Sequence, residues 1–318
     1  MFGSSFVAVL RRRRHDTVLP VLILLIAVLA GIVEPRFWAP DNLLNLARQI
    51  VPLLILSVGQ AFALISGGLD LSLAAVMSVC GVGGVLTMNR FGIPAGIGFM
   101  LLTGLGIGLA SGSIIAYFRA TPLVVTLGML SVAQAGALIL SNGTPIYDVP
   151  SSYAQFIGFD RIAGIPSSIW IAATTTLCGS FLLSRTIFGR YVYAIGSSSS
   201  AAAKSGINIA LYTALVYGMS GLCAGIGAVV LTAWVGSAQP IAAPDITLQS
   251  LAAIVLGGVA LTGGRGSMMQ VILGVTMLGM LSNVMNMIGV SSYYQTLVIG
   301  IVIIIAVVLD RLRRTTAD

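Results

Sequence analysis

Five polar residues lie in or beside long apolar stretches of the sequence: Gln60, Asp70, Asn283, Asn286 and Gln295. Four of them carry neutral amides, which can hydrogen-bond a polar, uncharged solute, and the two asparagines would share one face of a helix. The same amides can instead hydrogen-bond neighbouring helices and pin them together, which is the interpretation that the sequence favours. If they contact a solute, the five residues mark a translocation pathway.

Groups that perform covalent or metal chemistry are scarce in this sequence. It has one histidine, and it contains no Cys-x-x-Cys pair, no His-Glu-x-x-His helix and no Gly-x-Ser-x-Gly turn. The glycine-rich run from Leu261 to Ser267 lacks the lysine and the spacing of a phosphate-binding loop. We therefore expect no catalytic residue, no bound cofactor and no metal site, and we do not expect an enzyme.

Charge within the apolar stretches is nearly absent. An ion-coupled carrier usually needs a carboxylate or a histidine in its membrane spans to bind the ion. Only Asp70 comes near, and the hydropathy pattern places it at the edge of a stretch. The pattern favours transport whose energy is supplied by another chain.

A long polar interruption, at about residues 184–209, carries positive charge only. It holds Arg185, Arg190 and Lys204 and no acid. Three charges and a run of serines are too costly to place across a bilayer, whereas the alanines in the middle favour helix. We expect a short surface helix at the cytoplasmic face.

Composition places these residues in a membrane protein, because 57% of the 318 residues are hydrophobic and only 8% are charged, against about 25% charged in soluble domains. We predict an all-α polytopic membrane protein with about ten transmembrane helices, some of them short or re-entrant. The ten apolar runs are Thr17–Val33, Ile50–Ile65, Leu71–Met88, Ile93–Tyr117, Pro122–Leu140, Ser167–Leu183, Ala210–Ala233, Ser250–Leu261, Met268–Ile288 and Tyr293–Leu309.

Two of the runs, Ile50–Ile65 and Ser250–Leu261, are short, and each is followed closely by a pair of glycines. Paired, glycine-interrupted segments in the two halves of a chain are typical of an internal repeat with a pathway at its interface. The alternative is a pair of tight turns in which glycine caps the helix end, and the sequence slightly favours these turns.

The positive charges predict an orientation. With both termini in the cytoplasm, twelve of the 16 lysines and arginines fall in cytoplasmic pieces, as the positive-inside rule requires. The predicted domains are a cytoplasmic basic segment at residues 1–16, a transmembrane domain at 17–310 and a cytoplasmic tail at 311–318. The four basic residues predicted to lie outside are Arg36, Arg48, Arg90 and Arg161.

Glycines recur at helical spacing in two of the apolar runs. Gly104, Gly108 and Gly112 are four residues apart, and so are Gly221 and Gly225. Rows of small residues let helix backbones approach closely in lipid, so these rows predict close helix packing and carry no information about a solute.

A series of longer motifs follows in order between about Asp41 and Asp310. They are Ile65–Ser72, Pro122–Gly128, Ser141–Pro145, Gly189–Gly196, Ser205–Ile207, Ser237–Pro240, Ile254–Gly258, Gly263–Gly266 and Gly289–Gln295. In this order they resemble the ribose-type permease family of bacterial ABC importers.

The resemblance implies a permease subunit of the inner membrane, which translocates a monosaccharide or related polyol by alternating access driven by a partner ATPase. It implies three partners besides the lipid bilayer: a cytoplasmic ATP-binding subunit in tandem form, a periplasmic sugar-binding protein and a second permease copy, identical or related. Nucleic acid is not an expected partner. It also implies that the basic interruption docks on the ATPase through Arg190, Gly196, Ser198, Ser199, Ala202, Lys204 and Gly206.

The sequence departs from the family pattern in two places. Ser198 and Ser199 stand where an Asn-Glu pair is common, and Thr247-Leu-Gln249 replaces Glu-Leu-Asp. The first change puts the details of the ATPase contact in doubt, and the second weakens a gating role for Thr247 or Gln249. Two alternatives stay open: an ABC permease for another solute, such as a branched-chain amino acid, and an ion-coupled secondary carrier.

Overall fold

The computed structural model describes residues 19–315, and this part of the chain is predominantly helical. The predicted basic segment at residues 1–16 and the last three residues of the predicted tail lie outside the described residues. The α-helices are α1 Leu19–Val33, α2 Pro40–Gln49, α3 Val51–Ile65, α4 Leu73–Phe91, α5 Ile93–Tyr117, α6 Pro122–Ser141, α7 Ser151–Tyr153, α8 Ser167–Arg185, α9 Ile187–Ser197, α10 Ser199–Lys204, α11 Ile209–Val235, α12 Ile246–Leu256, α13 Met268–Met287 and α14 Ser292–Thr315.

Each of the ten predicted apolar runs overlaps one of these helices, which confirms an all-α polytopic membrane protein. Seven helical stretches of the described chain are long and apolar enough to cross a bilayer. Three further apolar stretches are shorter: α1, α12 and the Ser292–Val302 part of α14. The number of membrane crossings therefore stays a prediction.

The prediction that Ile50–Ile65 is a short segment is wrong. Helix α2 continues into α3, because the Ile50 N–H donates to Leu46 and the Ile50 carbonyl accepts from Leu54. The combined stretch Pro40–Ile65 is 26 residues long. Hydropathy missed its first half because α2 carries asparagines, an arginine and a glutamine on one face.

Helix α11 lies at the centre of the fold, where it packs against α3, α4 and α5. The two predicted glycine rows meet at the contact between α5 and α11. A side-chain carbon placed on Gly221 would lie 2.9 Å from the Cα atom of Gly108, and one on Gly112 would lie 2.7 Å from the Cα atom of Ala214. Only glycine allows this separation, so the predicted close packing is confirmed.

The connection between α6 and α8 covers the C-terminal end of α11. Helix α7 continues as a π-helix at Ala154–Phe159, and a short antiparallel hairpin follows, with β1 at Arg161–Ile162 and β2 at Ile165–Pro166. The Tyr153 hydroxyl is buried and donates to the Val229 carbonyl of α11 at 2.6 Å. This contact fixes the connection to the central helix.

Candidate functional site

The basic interruption forms two helices, α9 and α10, rather than the single short helix that the sequence predicted. Thr186 caps α9 by accepting a hydrogen bond from the Gly189 N–H at 3.3 Å, and Ser198 caps α10 by accepting one from the Ala201 N–H at 3.3 Å. Ser198 has an extended backbone, so it both ends α9 and starts α10. Serine and threonine favour such caps because their oxygens satisfy free N–H groups.

The predicted ATPase-contact residues fall on two sides of this helix pair. Ala202 is 4% exposed and faces the rest of the protein, and Gly196 is half-buried. The other five are exposed: Arg190, Ser198, Ser199, Lys204 and Gly206. The exposed side thus carries two positive charges and a row of small polar groups.

Gly196 packs against backbone from both halves of the chain. A side-chain carbon placed there would collide with the Ile65 carbonyl at the end of α3 and lie 2.6 Å from the Gly264 nitrogen. The Gly264 N–H donates to that same Ile65 carbonyl at 2.8 Å, and a carbon on Gly263 would lie 2.7 Å from the Cα atom of Gly67. We call Gly67, Gly196, Gly263 and Gly264 the glycine junction.

Tyr193 adds a side-chain tether between α9 and the loop of the glycine junction. Its hydroxyl donates to the Gly266 carbonyl at 2.7 Å. Burial raises the pKa of the Tyr193 phenol above its ordinary value, so the hydroxyl stays protonated and able to donate at physiological pH. Sequence reasoning missed this residue, because its partner is 73 positions away and no spacing rule links them.

Glycine-capped turns end both α3 and α12, but only after α3 does the predicted glycine pair form the cap, since Gly263 and Gly264 lie beyond the end of α12. After α3, Gly67 is left-handed (φ 87°), and the Gly68 N–H donates back to the Ala63 carbonyl. After α12 the same pattern occurs at Gly258 (φ 96°), so the helix ends at Leu256 rather than at the predicted Leu261. The turns also bring the two halves of the chain into contact, which the sequence did not predict.

Asp70 lies between α3 and α4, at the edge of a span as the hydropathy pattern predicted, but the helix bundle encloses it. It is 2% exposed and accepts hydrogen bonds from the Ser72 N–H (3.0 Å), the Ser72 hydroxyl (2.6 Å) and the Ser220 hydroxyl (2.7 Å). Ser220 is roughly 16 Å along α11 from its first residue, at 1.5 Å per residue. Among the side chains that the structure describes, no basic group pairs with this carboxylate.

The loop before α12, residues 236–245, folds back along α4. The Ala242 N–H donates to the Ser78 hydroxyl at 3.0 Å, and Thr247 at the start of α12 accepts from the Ala74 N–H at 2.9 Å. Ala243 has a left-handed backbone (φ 43°), which is strained for alanine and common at functional sites. The first turns of α4 and α12 therefore meet within the bundle. Thr247, whose gating role the departure from the family pattern weakens, caps α4.

Three of the five predicted pathway residues pin helices to one another. Asn283 is buried and exchanges two hydrogen bonds of 3.1 Å with the Asn42 side chain of α2. Gln295 donates to the Asn286 side chain at 2.7 Å and to the Val290 carbonyl at 2.8 Å. Their geometry fits the pinning interpretation, and it does not bring them together with Asp70.

Gln60 is the exception among the predicted pathway residues. It is fully buried in α3, and neither its amide nitrogen nor its amide oxygen has a hydrogen-bond partner among the described residues. The Ser57 hydroxyl, one turn away on the same helix, is equally buried and also lacks a partner there. Sequence reasoning did not single out Ser57, because an isolated serine in an apolar helix carries no distinctive signal.

Comparison with known proteins shows similarity to transport permeases along nearly the whole chain. The family described as "Branched-chain amino acid transport system / permease component" matches residues 42–307. The ribose import permease protein of Escherichia coli (strain K12) is 32% identical over 91% of this chain and 91% of its own length. The D-allose transport system permease protein of the same organism is 30% identical over 92% and 90%. The L-arabinose ABC transporter permease protein of Azospirillum brasilense is 31% identical over 92% and 86%.

Proposed function

Because the chain belongs to the ribose-type permease family of ABC importers, we propose that it is the permease subunit of an importer for a monosaccharide or related polyol. The observation that carries the sugar assignment is that the three relatives named above are permeases for ribose, D-allose and L-arabinose. The bundle interior agrees, because its buried polar groups are neutral apart from Asp70. An amino acid would need partners for two charges.

The exposed side of α9 and α10 is the docking surface for the ATPase. It carries Arg190 and Lys204 and has no acid, so it suits an acidic groove on the partner. The glycine junction connects this surface directly to the bundle. Its backbone contacts join α9 to the end of α3 and to the loop after α12. ATP-driven movement of α9 would then reach both halves of the permease.

The remaining partners follow from the same family. A periplasmic sugar-binding protein delivers the sugar, a tandem ATPase binds from the cytoplasm, and a second permease copy completes the core. Helices α9 and α10, the turn after α3 and the loop after α12 meet at one end of the bundle. All three are predicted to be cytoplasmic, which supports an inner-membrane orientation with both termini inside.

Co-purification and uptake test this proposal. We expect the tagged chain, purified from native membranes in mild detergent, to bring a P-loop ATPase. Proteoliposomes of the complex should take up D-ribose, D-allose or L-arabinose when ATP and the binding protein are supplied. A chain that purifies alone, or uptake of leucine without sugar uptake, would contradict the proposal.

A double charge-reversal variant tests whether docking is lost while folding is retained. The double variant Arg190→Glu and Lys204→Glu should reach the membrane normally and lose the ATPase, because both side chains are on the exposed side of α9 and α10. The matched control is Arg161→Glu in the exposed hairpin strand β1, which should retain the ATPase. Equal ATPase recovery from both variants would contradict docking at α9 and α10.

A further inference from the structure

A cavity of about 290 Å³ lies between α3, α11, α12 and α13, at the end of α11 away from the glycine junction. Four side chains with polar groups line it: Gln49 before α3, Trp234 at the end of α11, Gln249 in α12 and Ser282 in α13. A water molecule needs only about 10–15 Å³ of such space, so the cavity can hold a ligand much larger than water. One monosaccharide has room in this cavity.

The polar groups of this cavity are unused within the described residues. Gln49, Trp234, Gln249 and Ser282 are all half-buried, and none makes a side-chain hydrogen bond to any side chain or backbone group that the structure describes. Because these four side chains are only partly buried, their polar groups remain accessible to a molecule in the cavity. Free groups that converge on one cavity are the usual arrangement of a ligand site.

The chemistry of the lining fits an uncharged sugar. Two amides and a hydroxyl can both donate to and accept from sugar hydroxyls, and the indole offers a flat apolar face for the C–H side of a sugar ring. No charged side chain lines the cavity, so an ion or an amino acid zwitterion would lose its hydration without compensation.

A stripe of side chains on one face of α3 leads from the cavity into the bundle. Leu53 lines the cavity, and Ser57 and Gln60 follow it on the same face of α3, four and seven residues later. These are the two buried side chains without partners described above. Helix α3 then ends at the glycine junction, so the stripe runs from the cavity towards the proposed ATPase side.

We propose that the cavity holds one neutral monosaccharide during transport, and that Ser57 and Gln60 receive the sugar when α3 and α12 move apart. Gln249 and Ser282 hydrogen-bond the sugar, and Trp234 stacks on its ring. This assignment rests on the proposed function and adds to it the place where the sugar is bound within the membrane.

The first test is uptake by the complete transporter carrying Gln249→Leu, which keeps the side-chain volume and removes the hydrogen bonds. We expect the maximal uptake rate for the transported sugar to fall about tenfold, with unchanged recovery of the ATPase. The matched control is Thr174→Leu, which lines a separate apolar cavity of about 390 Å³ between α5, α8 and α11 and should leave uptake unchanged.

The outcomes of this test separate the two proposals. If the parent transporter takes up none of D-ribose, D-allose and L-arabinose, the proposed function fails. If the parent takes up a sugar and Gln249→Leu takes it up equally fast, the assignment of the cavity is overturned while the proposed function stands.

Cysteine protection provides a second readout if Gln249→Leu does not fold. Ser282→Cys changes one atom, and it is made after replacing Cys80, Cys178 and Cys223. We expect the sugar that the parent transports to slow labelling of Ser282→Cys by a small thiol reagent several-fold, and leucine to have no effect. Labelling of the control Thr174→Cys should not respond to the sugar. Unchanged labelling, or no labelling of a transporter that is transporting, would overturn the assignment, since a transport site must open to one side.

Discussion

Asp70 accepts three hydrogen bonds and forms no ion pair with any basic side chain that the structure describes. Two of the donors belong to Ser72, two residues away, and the third is Ser220 of α11. The carboxylate therefore fastens the extended segment after α3 to the middle of the central helix. A role in binding a coupling ion is not needed to explain its burial, because hydroxyl and N–H donors satisfy it.

Removing the Asp70 side chain should destabilise the permease. In Asp70→Ala the Ser72 N–H and two hydroxyls lose their acceptor, at about 1–3 kcal/mol for each buried group left unsatisfied. We expect a lower thermal midpoint for the purified protein, and a smaller decrease for Asp70→Asn, which keeps one acceptor oxygen. The control is Asp245→Ala, an exposed residue without a side-chain hydrogen bond at its helix. Equal midpoints for Asp70→Ala and the parent would show that the network is not stabilising.

Single residues were the hardest part of the site to predict from the sequence. Asp70 and Gln60 could be selected, because a polar group beside an apolar stretch is conspicuous. Their surroundings could not, because Ser220 is 150 positions from Asp70 and Thr247 is 173 positions from its partner Ala74. No local pattern encodes such pairs, and they depend on how the helices pack.

Helix packing at the centre of the fold depends on glycines, which have no side chain to separate α5 from α11. Gly108 of α5 lies against the backbone of Tyr217 and Gly218 in α11, and Gly104 lies against Gly221. In lipid there is little hydrophobic force to bring helices together, so close backbone contact supplies much of their attraction. The interface between α5 and α11 is therefore sensitive to any added atom.

Gly108→Leu should push α5 and α11 apart, whereas Gly106→Leu on the same helix should be tolerated. A side-chain carbon on Gly108 would collide with the Tyr217 carbonyl, while Gly106 is exposed and has no atom within 4 Å of such a carbon. Overpacking costs about 1–3 kcal/mol, so we expect lower yield and a lower thermal midpoint for Gly108→Leu only. If the two variants behave alike in detergent and in membranes, this interface does not hold the fold together.

The helices themselves were largely predictable, because apolar runs and glycine rows are local signals. The errors occurred where a membrane span contains polar residues, or where apolar residues lie outside a helix. Helix α2 was missed because polar residues interrupt its sequence, although it continues a membrane span. The end of α12 was placed five residues too late, because Val259, Ala260 and Leu261 are apolar and yet lie beyond the glycine-capped turn at Gly258.

At the scale of the whole molecule, the order of short motifs was the most informative part of the sequence. Family membership predicted from those motifs is confirmed by the match over residues 42–307 and by relatives that are 30–32% identical over nine-tenths of the chain. Orientation in the membrane was predicted from a different signal, which is the distribution of positive charge among the loops. The predicted arrangement puts twelve of 16 basic residues inside.

That orientation predicts opposite accessibility for two exposed positions. In a chain whose three cysteines are replaced, Ser152→Cys in α7 and Ala203→Cys in α10 are both exposed on the protein. An impermeant maleimide should label Ser152→Cys in cells whose outer membrane alone is permeable, and Ala203→Cys only after the inner membrane is opened. The positive-inside rule supports this result, because Arg185, Arg190 and Lys204 flank the second position.

The reverse labelling pattern would place α9 and α10 outside the cell, where no ATP is available. The exposed basic side of these helices would then need another partner, and the glycine junction would connect the bundle to the periplasm. Labelling of both positions in cells with an intact inner membrane would show that the connection around α7 and the α9–α10 pair lie on the same side. Either result would exclude docking of a cytoplasmic ATPase at this surface, because the helices that carry it must face the compartment where ATP is hydrolysed.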